Sequence, residues 1–319
     1  MKRTATGKVI KSTGSWYQVA LAGDGEIIKA RIRGKFRMDG KRLTNPVGVG
    51  DLVEMEVESK DNTGMIMKIM ERKNFVVRQS PRQKHHLHLL ASNIDLALLI
   101  VTVVNPSLKQ GFIDRFLLLT EPRDIPVLIC FNKCDLHTEE DQLIAEYLCR
   151  LYESIGYDSI IVSATQQTGI EELKQKLKGK TTLVAGQSGV GKSTLLNTIH
   201  PGLNIKTGNL SEYTGKGQHT TTFAELFDLG DGTCLIDTPG MKTLSYNNLE
   251  VMDVAHNFRE FFVFSQHCRF GDCTHRNEPG CAVKEALESG EISELRYQNY
   301  LAILDEIEDQ NYWERHTDI

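Results

Sequence analysis

Gly186-Gln187-Ser188-Gly189-Val190-Gly191-Lys192-Ser193 is a complete G-x-x-x-x-G-K-[ST] phosphate loop. The apolar run Thr182-Leu183-Val184-Ala185 precedes it and Lys192-Ser193-Thr194-Leu195-Leu196-Asn197 follows. This places the loop between a buried strand and the first turn of a helix, the context the motif requires. Glycine lets the backbone wrap closely around an anion, so successive N–H groups from Gln187 to Thr194 can point at phosphate oxygens. The helix N-terminus adds the positive end of its dipole, and Lys192 a point charge for the terminal phosphates. The Ser193 hydroxyl suits Mg²⁺. The stretch implies a nucleotide.

The surrounding sequence alternates strand and helix. Residues 94–104, 125–131 and 159–162 read as strands; 111–120, 138–155 and 169–177 read as helices. Such alternation predicts a mostly parallel sheet with helices on both faces. Two strand ends carry further chemistry. Asn132-Lys133-Cys134-Asp135 is an N-K-x-D: the Asp135 carboxylate can accept from the adjacent N–H donors of guanine, and the stem of Lys133 can lie over the base. Ser163-Ala164, followed by Gly169, offers a backbone N–H to guanine O6. All three loops follow strands, where such sheets bind ligands, so the nucleotide reads as guanine. Downstream, residues 205–222 form a long loop ending Gly217-Gln218-His219-Thr220-Thr221-Thr222. A threonine there, taken as Thr221, is expected to complete a Mg²⁺ shell. A strand at 233–236 then enters Asp237-Thr238-Pro239-Gly240, a D-x-x-G. Asp237 would hold Mg²⁺ through water and the Gly240 N–H would sense a γ-phosphate.

Toward the C-terminus, Cys268-x4-Cys273-x-His275-x5-Cys281 offers three thiols and an imidazole for a closed, structural Zn²⁺ site, with His267 as a competing ligand. The other four cysteines are scattered and read as packing residues. Helices are expected at 250–264 and in a last helix presenting Tyr297, Tyr300, Leu301, Leu304 and Ile307 on one face.

The 319 residues suit two or three domains; composition is that of a soluble protein, and no apolar run reaches the ~20 residues of a membrane span. A cytoplasmic monomer with reduced thiols and no membrane partner is expected. Net charge is −5, but unevenly placed: residues 1–42 hold eleven Lys/Arg against three Asp/Glu, and residues 283–319 three against ten. Residues 1–72 read as five short strands, a small barrel of the OB kind with an SH3-like barrel as rival. In its third strand Lys29, Arg31, Arg33, Lys35 and Arg37 alternate with smaller or apolar residues, so five cations share one face. Like charges aligned in this way suit a polyanion such as RNA. Residues 73–92 read as a polar linker, its His85-His86-Leu87-His88 cluster as solvated loop.

The five signatures are those of a GTPase in permuted order: base-reading loops first, then phosphate loop, mobile loop and D-x-x-G. Behind a barrel and before a cysteine cluster, this order resembles the RsgA (YjeQ) family of circularly permuted small-ribosomal-subunit biogenesis GTPases, along nearly the whole chain. The resemblance implies a GTP hydrolase that docks on the 30S subunit, touches 16S rRNA and leaves after hydrolysis to GDP. It favours His275 over His267 as zinc ligand. Met241 follows the D-x-x-G where a water-orienting Gln often sits, and a thioether cannot orient water. His219 matches a histidine in the family's mobile loop and is the candidate for that task. The expected architecture is an OB-type barrel (1–72), a linker (73–92), a permuted GTPase domain (93–249) and a zinc-binding helical module (250–319), whose position directly after D-x-x-G would let γ-phosphate loss move it. An RNA-binding scaffold using GTP as a switch with negligible turnover is the alternative. A phosphate-loop kinase is disfavoured by N-K-x-D and Ser-Ala.

Overall fold

Alternation of apolar and polar residues curls the first part of the chain into a closed barrel. The computed structural model describes residues 2–13, 15–23, 25–32, 43–58, 62–79, 87–109, 111–205, 224–238 and 249–316. Strands β1 (Lys2–Ser12), β2 (Tyr17–Leu21), β3 (Ile27–Ile32), β4 (Leu43–Asn45), β5 (Leu52–Glu58) and β6 (Thr63–Ile69) come first. Five of them close the ring β1-β2-β3-β6-β5-β1 around Val9, Tyr17, Val19, Ile28, Val53, Met55 and Ile66. Only the β3–β6 pair is parallel. In ring order the strands run first, second, third, fifth, fourth, which is the OB arrangement and excludes the SH3-like rival. On β3, Ile28 and Ala30 point inward while Lys29 and Arg31 are exposed, and the Arg31 guanidinium lies 3.9 Å from the Trp16 ring centre. Arg33, Lys35 and Arg37 lie outside the described residues.

The segment 73–92, read as a polar linker, instead carries β7 (Phe75–Gln79) and β8 (Leu87–Ser92), which form a second sheet in the order β4-β8-β7. Val76, Leu89, Leu90 and Ala91 are buried; their polar neighbours hid the pattern. His88 lies on β8, and His85 and His86 lie outside the described residues. Buried Asp51 pins this sheet to the barrel, accepting from Arg72 Nε (2.6 Å), Ser92 Oγ (2.5 Å) and the Gly48 N–H (2.9 Å).

Next come β9 (Leu96–Val101), α1 (Phe112–Thr120), β10 (Val127–Phe131), α2 (Glu139–Ser154), β11 (Asp158–Ile161), α3 (Ile170–Leu177), β12 (Thr181–Gly186), α4 (Lys192–Ile199), β13 (Glu225–Asp228) and β14 (Cys234–Asp237). β9 is buried at all six positions because both of its faces are covered. Ala97, Leu99 and Val101 pack with residues of α1 and α2, and Leu98 and Ile100 with residues of α3 and α4. Five parallel strands run in the order β11-β10-β9-β12-β14. Antiparallel β13 then joins β1, so the sheet continues into the barrel, and Lys11 pairs with Glu225 at 2.8 Å across that seam.

The C-terminal module consists of α5 (Val251–Asn257), α6 (Arg259–Ser265), α7 (Ala282–Glu288) and α8 (Glu294–His316). The single helix expected at 250–264 breaks at Phe258, which adopts an extended backbone (φ −90°, ψ 105°). Its buried ring packs 5.1 Å from Phe261 and 5.2 Å from Tyr300. On α8, Tyr297, Tyr300, Leu304 and Ile307 are buried as the periodicity predicts.

A buried ionic cluster docks this module on the parallel-sheet domain. Arg296 donates through Nε and Nη2 to Glu260 (2.6 and 2.9 Å) and through Nη1 to Asp114 (2.5 Å). Asp114 also accepts from Tyr152 (2.6 Å) and Asn299 (2.5 Å). Removing the cation strands two buried carboxylates. Arg296→Met is therefore expected to destabilise the full chain by about 3–5 kcal/mol. Urea unfolding checks this; a loss under about 1 kcal/mol, the range of an exposed pair, would show the cluster to be dispensable.

Candidate functional site

The loops that close this site leave the C-terminal edge of the parallel strands. β12 delivers Gly186 beside Ile100 of β9, so close that a Cβ on Gly186 would lie 2.3 Å from the Ile100 carbonyl oxygen. With φ at +150° the position also favours glycine. Lys192 begins α4, and its ammonium folds back over the loop to donate to the carbonyls of Gly186 (2.8 Å) and Gln187 (2.9 Å). Ser193 and Thr194 occupy the first turn of α4, half-buried. Asp237 ends β14 in register with Val184 of β12. Burial pushes its carboxyl pKa up, opposed by the Lys192 charge; burial lowers the Lys192 pKa, opposed by Asp237. Lys192 and Asp237, both half-buried, thus set a side chain suited to phosphate and one suited to a cation at the same strand edge.

The N-K-x-D loop is fastened to the phosphate loop by one side chain. Asn132, almost wholly buried, donates from Nδ2 to the Val190 carbonyl (2.9 Å) and accepts at Oδ1 from the Ala164 N–H (3.3 Å). Lys133, at φ +68°, donates to the Gly189 carbonyl at 2.7 Å and to the Asn105 carbonyl at 2.7 Å. The Ser163 hydroxyl donates to Asp135 Oδ1, and this bond holds the exposed carboxyl below its usual range, hence ionised. Cys134 is half-buried in the same loop. The structure thus gathers Asn132 to Asp135, Ser163, Ala164, Gly186 to Thr194 and Asp237 along one edge. His219, Thr221, Gly240 and Met241 lie outside the described residues. Asn105 and Thr198, which ties α4 to the Ala164 carbonyl (3.3 Å), belong to no sequence motif and were not legible as site residues.

At the other end of the chain the ligand atoms of Cys268, Cys273, His275 and Cys281 all lie within 4.8 Å of one another. A tetrahedral zinc ion with metal–sulfur bonds of about 2.3 Å and metal–nitrogen bonds of about 2.0 Å sets S···S near ~3.8 Å and S···N near ~3.5 Å. Cys268 and Cys281 Sγ lie 4.0 Å apart, and His275 Nδ1 lies 3.7 and 3.4 Å from them. The donor set and spacing fit. Burial holds His275 below the usual imidazole range, so its ring is neutral and offers a lone pair. His267 is exposed and outside the cluster. The loop is held from both sides: Tyr297 and Tyr300 donate to the carbonyls of His275 (2.7 Å) and Thr274 (2.8 Å). Glu278 accepts from the backbone of Thr274, Arg276 and Asn277. Burial would raise the Glu278 pKa, but these bonds and the Thr274 hydroxyl bring it down to about 2.

Comparison with known proteins covers both halves of the chain. Two family models match, the RsgA N-terminal domain over residues 6–66 and the RsgA GTPase over residues 69–247. The small ribosomal subunit biogenesis GTPase RsgA of Phocaeicola vulgatus is 46% identical over 306 residues, 96% of this chain and 98% of its own. The protein of the same name from Flavobacterium psychrophilum is 46% identical over 312 residues, 96% of this chain and 94% of its own. The crystal structure of YjeQ from Thermotoga maritima superposes with a TM-score of 0.77 at 36% identity, covering 95% of this chain and 98% of that one. YloQ, described as a circularly permuted GTPase, superposes at 0.73 with 32% identity, covering 97% and 96%. Motif order, site geometry and these matches agree: the chain belongs to the RsgA GTPase family and is a circularly permuted GTP hydrolase.

Proposed function

We propose that this GTPase acts in late maturation of the small ribosomal subunit, binding the 30S particle through 16S rRNA, hydrolysing GTP under its stimulation and leaving with GDP. The observation that carries this reading is coverage: relatives named for small-subunit biogenesis align over 96% of this chain, barrel and metal module included. Lys29 and Arg31, exposed on the barrel, support an RNA-facing surface that Arg33, Lys35 and Arg37 would extend. No helix among the described residues is long and apolar enough to cross a membrane, in keeping with action on ribosomal particles in the cytoplasm.

In this reading Gly186 to Thr194 cradle the phosphates, with Lys192 turning from its own loop's carbonyls to the ligand. Asp135 selects guanine, Lys133 covers the base, and Ala164 offers its N–H to O6. Ser193, Asp237 and Thr221 supply the hard oxygen donors Mg²⁺ prefers, and Gly240 senses the γ-phosphate. Mg²⁺ held there would neutralise charge developing on the phosphates. Zinc on Cys268, Cys273, His275 and Cys281 is structural, since four protein ligands leave no open position.

Guanine preference is expected to rest on Asp135. Asp135→Asn places a donor where two acceptors are wanted and should cost guanine its advantage, with xanthine nucleotide gaining. Competition binding with GDP and xanthosine diphosphate measures this, and an unchanged ratio would remove Asp135 from the base site.

Metal analysis of the purified chain should find about one zinc per molecule. Cys273→Ser should lose it and lower the unfolding temperature of the C-terminal module, with GDP binding retained. Stoichiometric zinc surviving in Cys273→Ser would break the ligand assignment.

Phosphate release with and without 30S subunits tests the whole proposal. Met241 leaves the attacking water without a side-chain guide in its own loop, which favours either a second residue or a switch with negligible turnover. With His219 in that role, subunits should raise turnover strongly and His219→Ala should lower the stimulated rate by roughly 10²–10⁴-fold, with subunit affinity kept. A change within about threefold, under ~0.7 kcal/mol of barrier, would leave orientation of the water to backbone or rRNA. Absence of stimulation in the parent would favour the scaffold reading.

A further inference from the structure

Five parallel strands end at the nucleotide edge, and four open into loops with a role already described: Asn132 to Asp135 after β10, Ser163-Ala164 after β11, the phosphate loop after β12 and Asp237 at the end of β14. The fifth strand, β9, lies between β10 and β12 at the centre of that edge, and the loop that follows it carries no signature. It nevertheless reaches the site. The Asn105 carbonyl accepts from Lys133 Nζ at 2.7 Å, the same distance as the bond to Gly189. Lys133 is therefore fixed between two loops.

The backbone at Asn105 is committed to this contact. Its φ is +50°, in the left-handed region, which Asn tolerates better than most residues and β-branched side chains tolerate poorly. Its side chain is exposed, so the group that matters is the carbonyl. The turn is closed on itself: Thr102 Oγ1 donates to the Pro106 carbonyl (2.6 Å) and the Leu108 N–H to the Val103 carbonyl (3.2 Å). An ammonium has three N–H donors, and two are taken here by carbonyls of different loops. A flexible stem anchored at its far end has lost rotamer freedom before a ligand arrives, which removes part of the ordering cost of binding.

We infer that Asn105 is a positioning residue for the guanine base: through its backbone carbonyl the loop after β9 holds the Lys133 ammonium, and so lays the stem of Lys133 against the base. The inference rests on the reading of N-K-x-D as the base loop. Within that reading Asp135 decides which purine is accepted, and the Asn105–Lys133 contact decides how long it stays.

Release of a fluorescent GDP analogue from the full chain tests this by stopped flow. Asn105→Val, strained at positive φ, should release GDP about tenfold faster, the order expected for losing one hydrogen bond to a charged group. Asn105→Ala should show a smaller acceleration, and Asn105→Gly, which accepts this backbone without strain, should restore most of the slow release. The GDP-to-IDP preference should be unchanged in all three, since the donors read by Asp135 are untouched. The decisive arm is the cycle with Lys133→Ala: if Asn105 acts through Lys133, Asn105→Val adds nothing in that background. Full additivity, or parent-like release in Asn105→Val alone, overturns the inference. Parent-like release in Lys133→Ala alone overturns it together with the reading of the base loop, so the two failures are told apart.

Discussion

The nucleotide site depends on the two hydrogen bonds of Asn132. One buried amide ties the Val190 carbonyl of the phosphate loop to the Ala164 N–H of the loop after β11. In the permuted chain the N-K-x-D and Ser163-Ala164 loops precede the phosphate loop, so chain connectivity alone does not bring them together. The parallel sheet does: β9 lies between β10 and β12, and Asn132 bridges the gap that remains. An unpaired buried amide would cost more than either bond contributes, so the two loops are held in one arrangement. A site preorganised in this way spends little binding energy on ordering its own backbone.

A second constraint governs the C-terminal module. Three short helices and the longer α8 bury a modest core, and their loop at 268–281 has little regular structure to hold it. The Glu278 capping network supplies that order locally, and a metal held by Cys268, Cys273, His275 and Cys281 would add to it. The Arg296 cluster supplies it globally, anchoring α6 and α8 to α1 and α2 of the GTPase domain. Such a pairing resists separation, because pulling it apart strands charge on both sides. Any response of the module to γ-phosphate loss would therefore carry α1 and α2 with it, rather than swing on a free hinge.

Charge is divided between the ends of the chain. Cations gather in the first 42 residues and carboxylates in the last 37, so a net charge of −5 conceals two opposed fields. In the proposed reading such a division would draw a polyanion to the first part of the chain rather than to the last.

What the sequence determined by itself were the parts whose physics is short-range. Glycines at fixed spacing, a Lys-Ser pair opening a helix and an Asp two residues beyond a Lys mark loops that are recognisable within a few residues of sequence. Period-two alternation set Lys29 and Arg31 on the face opposite Ala30, because a strand's pleat is local, and the barrel buries Ala30 and exposes the two cations. Tertiary structure alone decided the rest. Closure of β3 on β6 chose the OB ring, burial of Val76 and Leu89 made strands of an apparent linker, and a helix whose periodicity ran through Phe258 is broken there. Arg296 meets Asp114 across 182 positions and Lys133 meets the Asn105 carbonyl across 28. No local pattern encodes such pairs: their energy exists only once distant segments have been brought together, and a backbone carbonyl leaves no mark in the residue code.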